Sequence, residues 1–515
     1  EQNRDHPGRT SLARVLRQRS QEPQLSEREA TIYDRESLRK LGAREVLGCA
    51  GFPEIQPKSN VGRRLRVTWL GFLAEVRCRA RLTRLCTFAR TNPRAHTTEE
   101  RGGIHHAWRH ERRRCRRRGR ARGIGAGPGG SSTAYHLAQA GLDVILLEKN
   151  TFPRDKICGD GLTPAAVHEL IAMGVDTTGW MRNRGLTVIG GGHTVHMDWP
   201  DQKSLPGYGM TRARTDLDHA LARRAQEAGA RLYEGVTVTG AIQDGSGRVT
   251  GVTAKSGRGK NATALTVRAS ITVDAGGVAA RLATGLGIDK KMNRPMGVAA
   301  RAYFRSPRGD EEWMESHLEL WSGTPGASDL LPGYGWIFPM GEGVVNVGLG
   351  SVASRAGATN LPYRDVFKAW TANLPGEWGF TPDNQIGPLR SAALPMSFNR
   401  KPHYTQGLVL VGDAGGMVSP YNGEGIAPAM KAGRYAASCI AQALRRAHRA
   451  GIDRAMSEYP HMLRDEYGGY YQLGRIFVAL IENPTIMRTC TNVGLPMPRL
   501  MTLVHKLLSD GYERS

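Results

Sequence analysis

IGAGPGGSSTAYHLAQAGLDVILLEKN, residues 124–150, has the layout of the turn, helix and second strand of a dinucleotide-binding unit. Gly125 permits a tight turn, Gly127 lets the backbone approach a pyrophosphate, and Gly130 lets the helix lie close to the sheet. A helix over Ser131 to Gly141 points its first amides at the phosphates. The strand Asp143 to Leu147 ends at Glu148, placed to accept hydrogen bonds from a ribose. The competing reading is a glycine-rich loop without a ligand. Helix, apolar strand and acidic terminus in register speak against it.

Working backward from this turn, a central parallel strand is expected, apolar on both faces. The chain instead reads RHERRRCRRRGRARG over residues 109–123. Burying several unpartnered guanidinium groups costs several kcal/mol each, so the expectation is that this run is not the strand. Either the first strand is missing, or residues before about Gly123 are an out-of-frame reading of a GC-rich gene. Residues 1–122 hold 30 Arg and Lys against 13 Asp and Glu, and so carry +17 of the net +24. Only Lys40 and Lys58 among them are lysines. Such an arm suggests nucleic acid or anionic lipid as a partner. It lacks the interleaved aromatics of a recognition motif, so poor order and no nucleic-acid binding are expected. His105, His106 and His110 lie in it and carry no metal assignment.

Cys49, Cys78, Cys86 and Cys115 also lie in the arm, and Cys158, Cys439 and Cys490 beyond it, with no metal or disulfide spacing. No apolar run is long enough to span a bilayer, and no signal peptide is evident, so a cytoplasmic setting is expected. A start at Glu1 rather than Met points to a trimmed start.

Working forward, Thr211 to Gly229 has helical spacing of Leu217, Leu221 and Ala225, with Thr215 or Asp216 as the cap. Strands are expected at Arg231–Thr239, Val249–Ala254, Leu265–Asp274, Met296–Phe304, Ser316–Trp321, Tyr334–Pro339, Val344–Leu349 and Gly407–Val411. From about Ala436 the pattern is mostly helical. The block GDAGGMVSPYNGEG, residues 412–425, forms the second chemical centre. Its strand delivers Asp413 to the carboxyl end of a sheet, where a carboxylate accepts two hydroxyl donors from a polyol. Gly423, Gly425 and Ile426 open a helix toward an electron-rich ring edge. Tyr334, Trp336 and Phe338 alternate and share one strand face, suited to an apolar unsaturated tail or to core packing. Gly348 and Gly350 share a face of the next strand and leave room for a ligand.

These residues resemble the FAD-dependent geranylgeranyl reductase family within the p-hydroxybenzoate hydroxylase-like flavoproteins. The resemblance rests on GAGPGGS near Gly125, FPRDKICGDGLTP from Phe152, MTRARTDLDHAL around Arg214, PGYGWIFPMGEGVVNVGLG from Pro332, and the 412–425 block. It runs from Gly123 to the C-terminus and is nearest the actinobacterial branch that reduces an isoprene unit of menaquinone. It implies an α/β fold: a Rossmann-like FAD-binding domain interleaved with an antiparallel-sheet substrate domain and a C-terminal helical region. The expected division is an arm at 1–122 and FAD-binding parts at 123–184, 211–294 and 396–445. Substrate parts fall at 185–210 and 295–395, and the helical region at 446–515.

Carried over by motif, Gly125, Gly127, Gly130 and Glu148 hold the ADP half of FAD, and Arg214 approaches the cofactor. Asp413 binds ribityl and pyrophosphate, and Gly423, Gly425 and Ile426 face the isoalloxazine. Cys158 borders flavin and substrate channel, and is a catalytic candidate beside Tyr334. Arg154 and Lys156 are read as solvent-facing charge rather than cations that activate Cys158. Relatives usually show Ala-Asp-Gly where this chain has Asp274-Ala275-Gly276-Gly277, so Asp274 is a displaced cofactor candidate.

The implied activity is reduction of carbon-carbon double bonds of a polyprenyl chain, on a quinone or a geranylgeranyl lipid, with NAD(P)H or a ferredoxin-like donor. An FAD-dependent monooxygenase or halogenase is the alternative, and an Arg-rich nucleic-acid-binding protein a second. The C-terminal stretch from Gly468 to Leu508 mixes Tyr470, Ile476, Phe477 and Leu500 with Arg475, Arg488 and Arg499. It either lies on the inner face of the membrane, making the protein peripheral, or covers the substrate domain.

Overall fold

The computed structural model describes residues 120–508 apart from 258 and 353–361. The arm's first 119 residues, with their expected disorder, lie outside the described residues.

The first strand is present. Arg120–Ile124 (β1) pairs in parallel with Ile271–Asp274 on one side and Asp143–Leu147 (β2) on the other. The expectation that the arginine run excludes a strand is thus corrected, and β1 begins inside the stretch assigned to the arm. Its side chains alternate across the sheet. Ala121 joins one core and Ile124 the other, so both faces are apolar at the centre. Arg122 is 4% exposed, and its guanidinium lies beside the start of β2. There it donates to the carbonyls of Ala121 at 3.0 Å and Asp143 at 3.4 Å, with the Asp143 carboxylate 3.8 Å away. The cost that argued against burial is offset because the guanidinium meets oxygens where β2 begins.

The sheet runs Tyr404–Thr405, Leu408–Leu410, Ile271–Asp274, β1, β2, Arg231–Tyr233, parallel apart from its first pair. Helix α1 (Pro128–Gln139) packs with Arg214–Glu227 and Ile426–Ala443 on one side. The antiparallel strands Val236–Gln243, Val249–Ser256 and Thr263–Arg268 cover the other, with Val252 and Ala254 against Leu408 and Leu410. Helix α1 begins earlier than expected, because Pro128 suits a first helical turn. Neither Thr215 nor Asp216 caps its helix; Ala213 stands at the cap and both lie in the first turn.

A second sheet has seven strands: Gln385–Pro395, Met296–Arg305, Val344–Val352, Gly333–Gly341, Trp313–His317, Gly185–Gly190 and His193–Asp198. Only the pairing of Trp313–His317 with Gly185–Gly190 is parallel. Helix Tyr363–Ala372 buries Val366, Phe367 and Trp370 on the face that carries Ile337, Val345 and Val347. Gly335 belongs to that face, where a Cβ would collide with the Trp370 indole. Tyr334, Trp336 and Phe338 therefore point to the opposite side, as their alternation requires.

The last helices pack on this second sheet, whereas Glu458–Ile481 buries Tyr459, Leu463, Tyr467 and Tyr471 in the core of the first. Leu495 and Met501 pack with Leu186, Val188 and Met314, and Met487 packs with Trp321 and Leu330.

Candidate functional site

Helix α1 leaves the glycine turn as the pattern requires. Gly125 has φ +85 and donates its N–H to Leu147 O at 2.8 Å. A Cβ at Gly130 would run into the Gly125 carbonyl, so helix and turn approach as only glycine allows. Gly127 caps α1 with extended backbone, and its open side is framed by charge. A Cβ there would lie 3.8 Å from an Arg154 nitrogen and 3.9 Å from Arg214 and Asp218.

Those charges form one cluster. Arg214, 2% exposed, makes a two-pronged pair with Asp218 at 2.7 and 2.8 Å. Arg154 donates to Asp218 at 2.7 Å and to Glu148 at 3.3 Å. Burial works against the Arg214 charge, but Asp218, with Cys158 and Asp160 adding to it, more than offsets this and holds the guanidinium above its ordinary range. Glu148 stands at the end of β2, nearly buried, and also accepts the N–H of Ala126 at 2.9 Å. Reading Arg154 as solvent-facing is corrected: its side chain is 11% exposed and lies between two carboxylates. Lys156 keeps 40% of its side chain exposed, as that reading has it, and its Nζ pairs with Asp413 at 3.0 Å.

Asp413 lies in the turn Gly412–Gly415 that follows Leu408–Leu410. One of its oxygens faces Gly425, where a Cβ would sit 3.4 Å away. Ile426 opens the helix Ile426–Ala443, and Glu424 accepts the Ala427 N–H at 3.1 Å and the Thr163 hydroxyl at 3.1 Å. The Tyr334 hydroxyl donates to Asn422 O at 2.6 Å and lies 4.0 Å from a Cβ built on Gly423. The Asn-Gly-Glu-Gly loop is thereby tied to the aromatic strand.

Asp274 turns inward. Its oxygens accept from Gly276 N at 2.9 Å and Ala283 N at 3.1 Å, and burial pushes the carboxyl above its usual range. The carboxylate organises its own turn, which sets Ala275 against Gly125. The space left by Gly348 and Gly350 is also taken: the Trp336 indole lies over both, so the room expected there for a ligand is filled by protein. Trp336 is 5% exposed and donates from Nε1 to Asn346 at 2.9 Å, whereas Tyr334 and Phe338 are half-buried.

The segment from Phe152 to Leu162 links these parts. Arg154 reaches the glycine turn, Lys156 reaches Asp413, and Gly159 and Gly161 lie on the rings of Trp336 and Phe338, where a Cβ would be only 3.1–3.3 Å away. Cys158 between them is half-buried, and burial pushes its thiol up despite the Arg214 charge. Sequence reasoning quoted Asp160 and Asn346 within its blocks without assigning them roles. Asp160 is fully buried and bonded to Asn346 and to the Tyr303 hydroxyl. Asp218 too lay within a quoted block, four residues after Arg214 on the expected helix, and only Tyr303 carried no signal beyond its strand.

These residues fit FAD. The turn demands glycine at Gly125 and Gly130, the Arg154 Nε is buried with no hydrogen-bond partner beside Gly127, and carboxylates stand at the ends of two parallel strands.

Comparison with known proteins agrees. Residues 123–462 match a family described as an FAD binding domain. The chain is 36% identical over 392 residues to a menaquinone reductase of Mycobacterium tuberculosis, covering 75% of this chain and 89% of that protein. It is 30% identical over 345 residues to a digeranylgeranylglycerophospholipid reductase of Methanocella arvoryzae, covering 67% and 82%. Among solved structures, a geranylgeranyl bacteriochlorophyll reductase-like protein of Thermoplasma acidophilum shares the fold, with TM-score 0.58, 21% identity, and coverage of 76% and 99%. With the glycine turn, the Asp413 block and the aromatic strand joined by one segment, this chain belongs to the FAD binding domain family and, within it, to the group that holds the menaquinone and geranylgeranyl reductases.

Proposed function

We propose that this protein is an FAD-dependent oxidoreductase that reduces carbon-carbon double bonds of a polyprenyl chain, carried by a quinone or a geranylgeranyl lipid. The observation that carries this reading is the Phe152–Leu162 segment, which joins the Gly127 cluster, Asp413 and the aromatic strand in one continuous path. The named activities of the relatives point the same way.

Gly125, Gly127, Gly130 and Glu148 would hold the ADP half, with Arg154 and Arg214 near the pyrophosphate. Asp413 and Lys156 would bind the linker, and Gly423, Gly425 and Ile426 would meet the ring. When bound and reduced, FAD supplies hydride. The chain's own residues bind, orient and keep water out. An unactivated alkene accepts hydride poorly, so its alignment against the half-buried Tyr334 and Phe338 must supply much of the rate.

The test is anaerobic incubation of photoreduced holoenzyme with menaquinone and with a geranylgeranyl lipid. The expected result is reoxidised flavin and product heavier by one hydrogen pair per bond reduced. Turnover that instead requires oxygen and yields hydroxylated or halogenated product overturns the reading in favour of a monooxygenase or halogenase.

Access to such a substrate implies a membrane surface. No helix among the described residues is long and apolar enough to cross one. Lys291, Arg294, Arg464 and Arg475 all lie near enough to Lys401 to act on its charge, and none of the five has a carboxylate partner among the described residues; Met292, next to Lys291 in the chain, is 94% exposed, and Ile476, next to Arg475, is exposed too. Burial, then the charges of its four neighbours, pushes the Lys401 ammonium below the usual lysine range. Cations around exposed apolar side chains suit anionic headgroups. Sedimentation with anionic but not neutral vesicles, weakened in Lys401→Glu, is the expected outcome; equal sedimentation with both sinks it.

A further inference from the structure

An alkene that takes up hydride also needs a proton, and three groups near the aromatic strand carry one. The Tyr334 hydroxyl spends its hydrogen on the Asn422 carbonyl. The Cys158 thiol sits against the Asp160 backbone N–H, and burial holds it in the neutral form. The third group is Asp160 itself, fully buried, with φ +63 on the loop that carries Gly159 and Gly161 across Trp336 and Phe338.

The two oxygens of Asp160 differ. Oδ2 accepts from the Tyr303 hydroxyl and from Asn346 Nδ2 at 2.8 Å. Oδ1 is buried and has no hydrogen-bond partner. A structural carboxylate at this depth would use both oxygens. With the acceptor positions of Oδ2 occupied, the proton of the neutral acid resides on Oδ1. Asn346 also donates to Cys158 O at 3.0 Å and accepts from Trp336 Nε1 at 2.9 Å. The carboxyl is therefore held rigidly against both the Cys158 loop and the aromatic strand.

We propose that Asp160 is the acid of the reduction, carrying on Oδ1 the proton that completes the second carbon–hydrogen bond. This rests on the alkene reduction proposed above. The π electron pair of the alkene forms a bond to that proton while the other carbon receives hydride and its electron pair. The reduced flavin is thereby oxidised by two electrons. Asp160 is left as a carboxylate, stabilised by the Tyr303 and Asn346 donors, and regains its proton from solvent before the next turnover.

The groups facing it are Tyr303 and Arg301 from Met296–Arg305, Arg214 from its helix, Asn346 from the next strand, and Cys158 from its own loop. Burial pushes Asp160 up to about 6, against the Tyr303 and Asn346 hydrogen bonds and the charges of Arg301 and Arg214. It can hold a proton near neutral pH and yet release it.

The experiment uses FAD-loaded Asp160→Asn and Tyr303→Phe proteins beside the wild type, reduced anaerobically and mixed with menaquinone. In Asp160→Asn the expected result is reoxidation slowed by about 100-fold or more with FAD content and flavin absorbance retained. The wild-type rate should fall as pH rises through about 6, a limb missing from Asp160→Asn. Tyr303→Phe should shift that limb upward, since it removes a donor that favours the carboxylate. Infrared difference spectra of the oxidised protein should show a protonated-carboxyl band that titrates with the same midpoint and is absent from Asp160→Asn. A variant reoxidising within threefold of wild type, or a band that does not titrate, overturns the proposal while leaving alkene reduction standing. A wild-type enzyme that leaves every polyprenyl substrate unchanged, though the band titrates, removes the reductase reading and this role with it.

Discussion

Arg214 and Asp218 show what a buried pair demands of its partners. Both side chains are almost wholly removed from water, and Arg154 joins them from the Phe152–Leu162 segment. Removing the carboxylate in Asp218→Ala leaves Arg214 buried without its pair. The expected cost is about 3–5 kcal/mol in urea unfolding of the apoprotein, together with weakened FAD binding. Asp160 behaves in the opposite sense. Its folded value of about 6 lies above the 3.8 of an exposed aspartate. The fold therefore favours the neutral acid, and the stability this contributes is complete below about pH 4 and lost as pH rises through about 6. The loss is up to about 3 kcal/mol by the size of the shift. Asp160→Asn should thus match the wild type below about pH 4 and exceed it above pH 6, and parallel melts at about pH 3.5 and 7.5 check this.

Strand β1 shows how little apolar sequence a central strand needs when its neighbours supply the rest. Ala121 and Ile124 are enough to face the two cores, because β2 and Ile271–Asp274 bring Leu146, Leu147, Ile271 and Val273 on either side. Arg122 is the misfit, tolerated because its guanidinium meets the oxygens of Ala121 and Asp143. Arg122→Val should be neutral or stabilising by about 1 kcal/mol, since an apolar residue replaces a buried charge. Asp143 keeps Arg231 as its partner, so no carboxylate is stranded. A drop in melting temperature would show that the Arg122 contacts with Asp143 hold the strand in register.

In the whole molecule, the candidate cofactor site draws on segments near Gly125, Arg154, Arg214 and Asp413, all far apart in the chain. A ligand that ties them acts on global stability. FAD at 100 times its dissociation constant should stabilise the protein by about 2.7 kcal/mol, and a thermal shift rising with FAD concentration is the check. What the sequence determined alone was what local pattern can encode. The glycine turn, β2 ending at Glu148, the strand before Asp413 and the shared face of Tyr334, Trp336 and Phe338 were all legible. Each depends on backbone periodicity or on a conformation that only glycine adopts. Tertiary structure decided the rest: that an arginine-bearing segment is the central strand, that Arg154 and Lys156 pair with carboxylates from distant segments, that Trp336 fills the space over Gly348, and that Asp160 is buried with one oxygen spare. These outcomes depend on which distant groups arrive to meet a charge or fill a gap. The energy of a guanidinium or carboxyl is set by those neighbours, and no local stretch of sequence contains them.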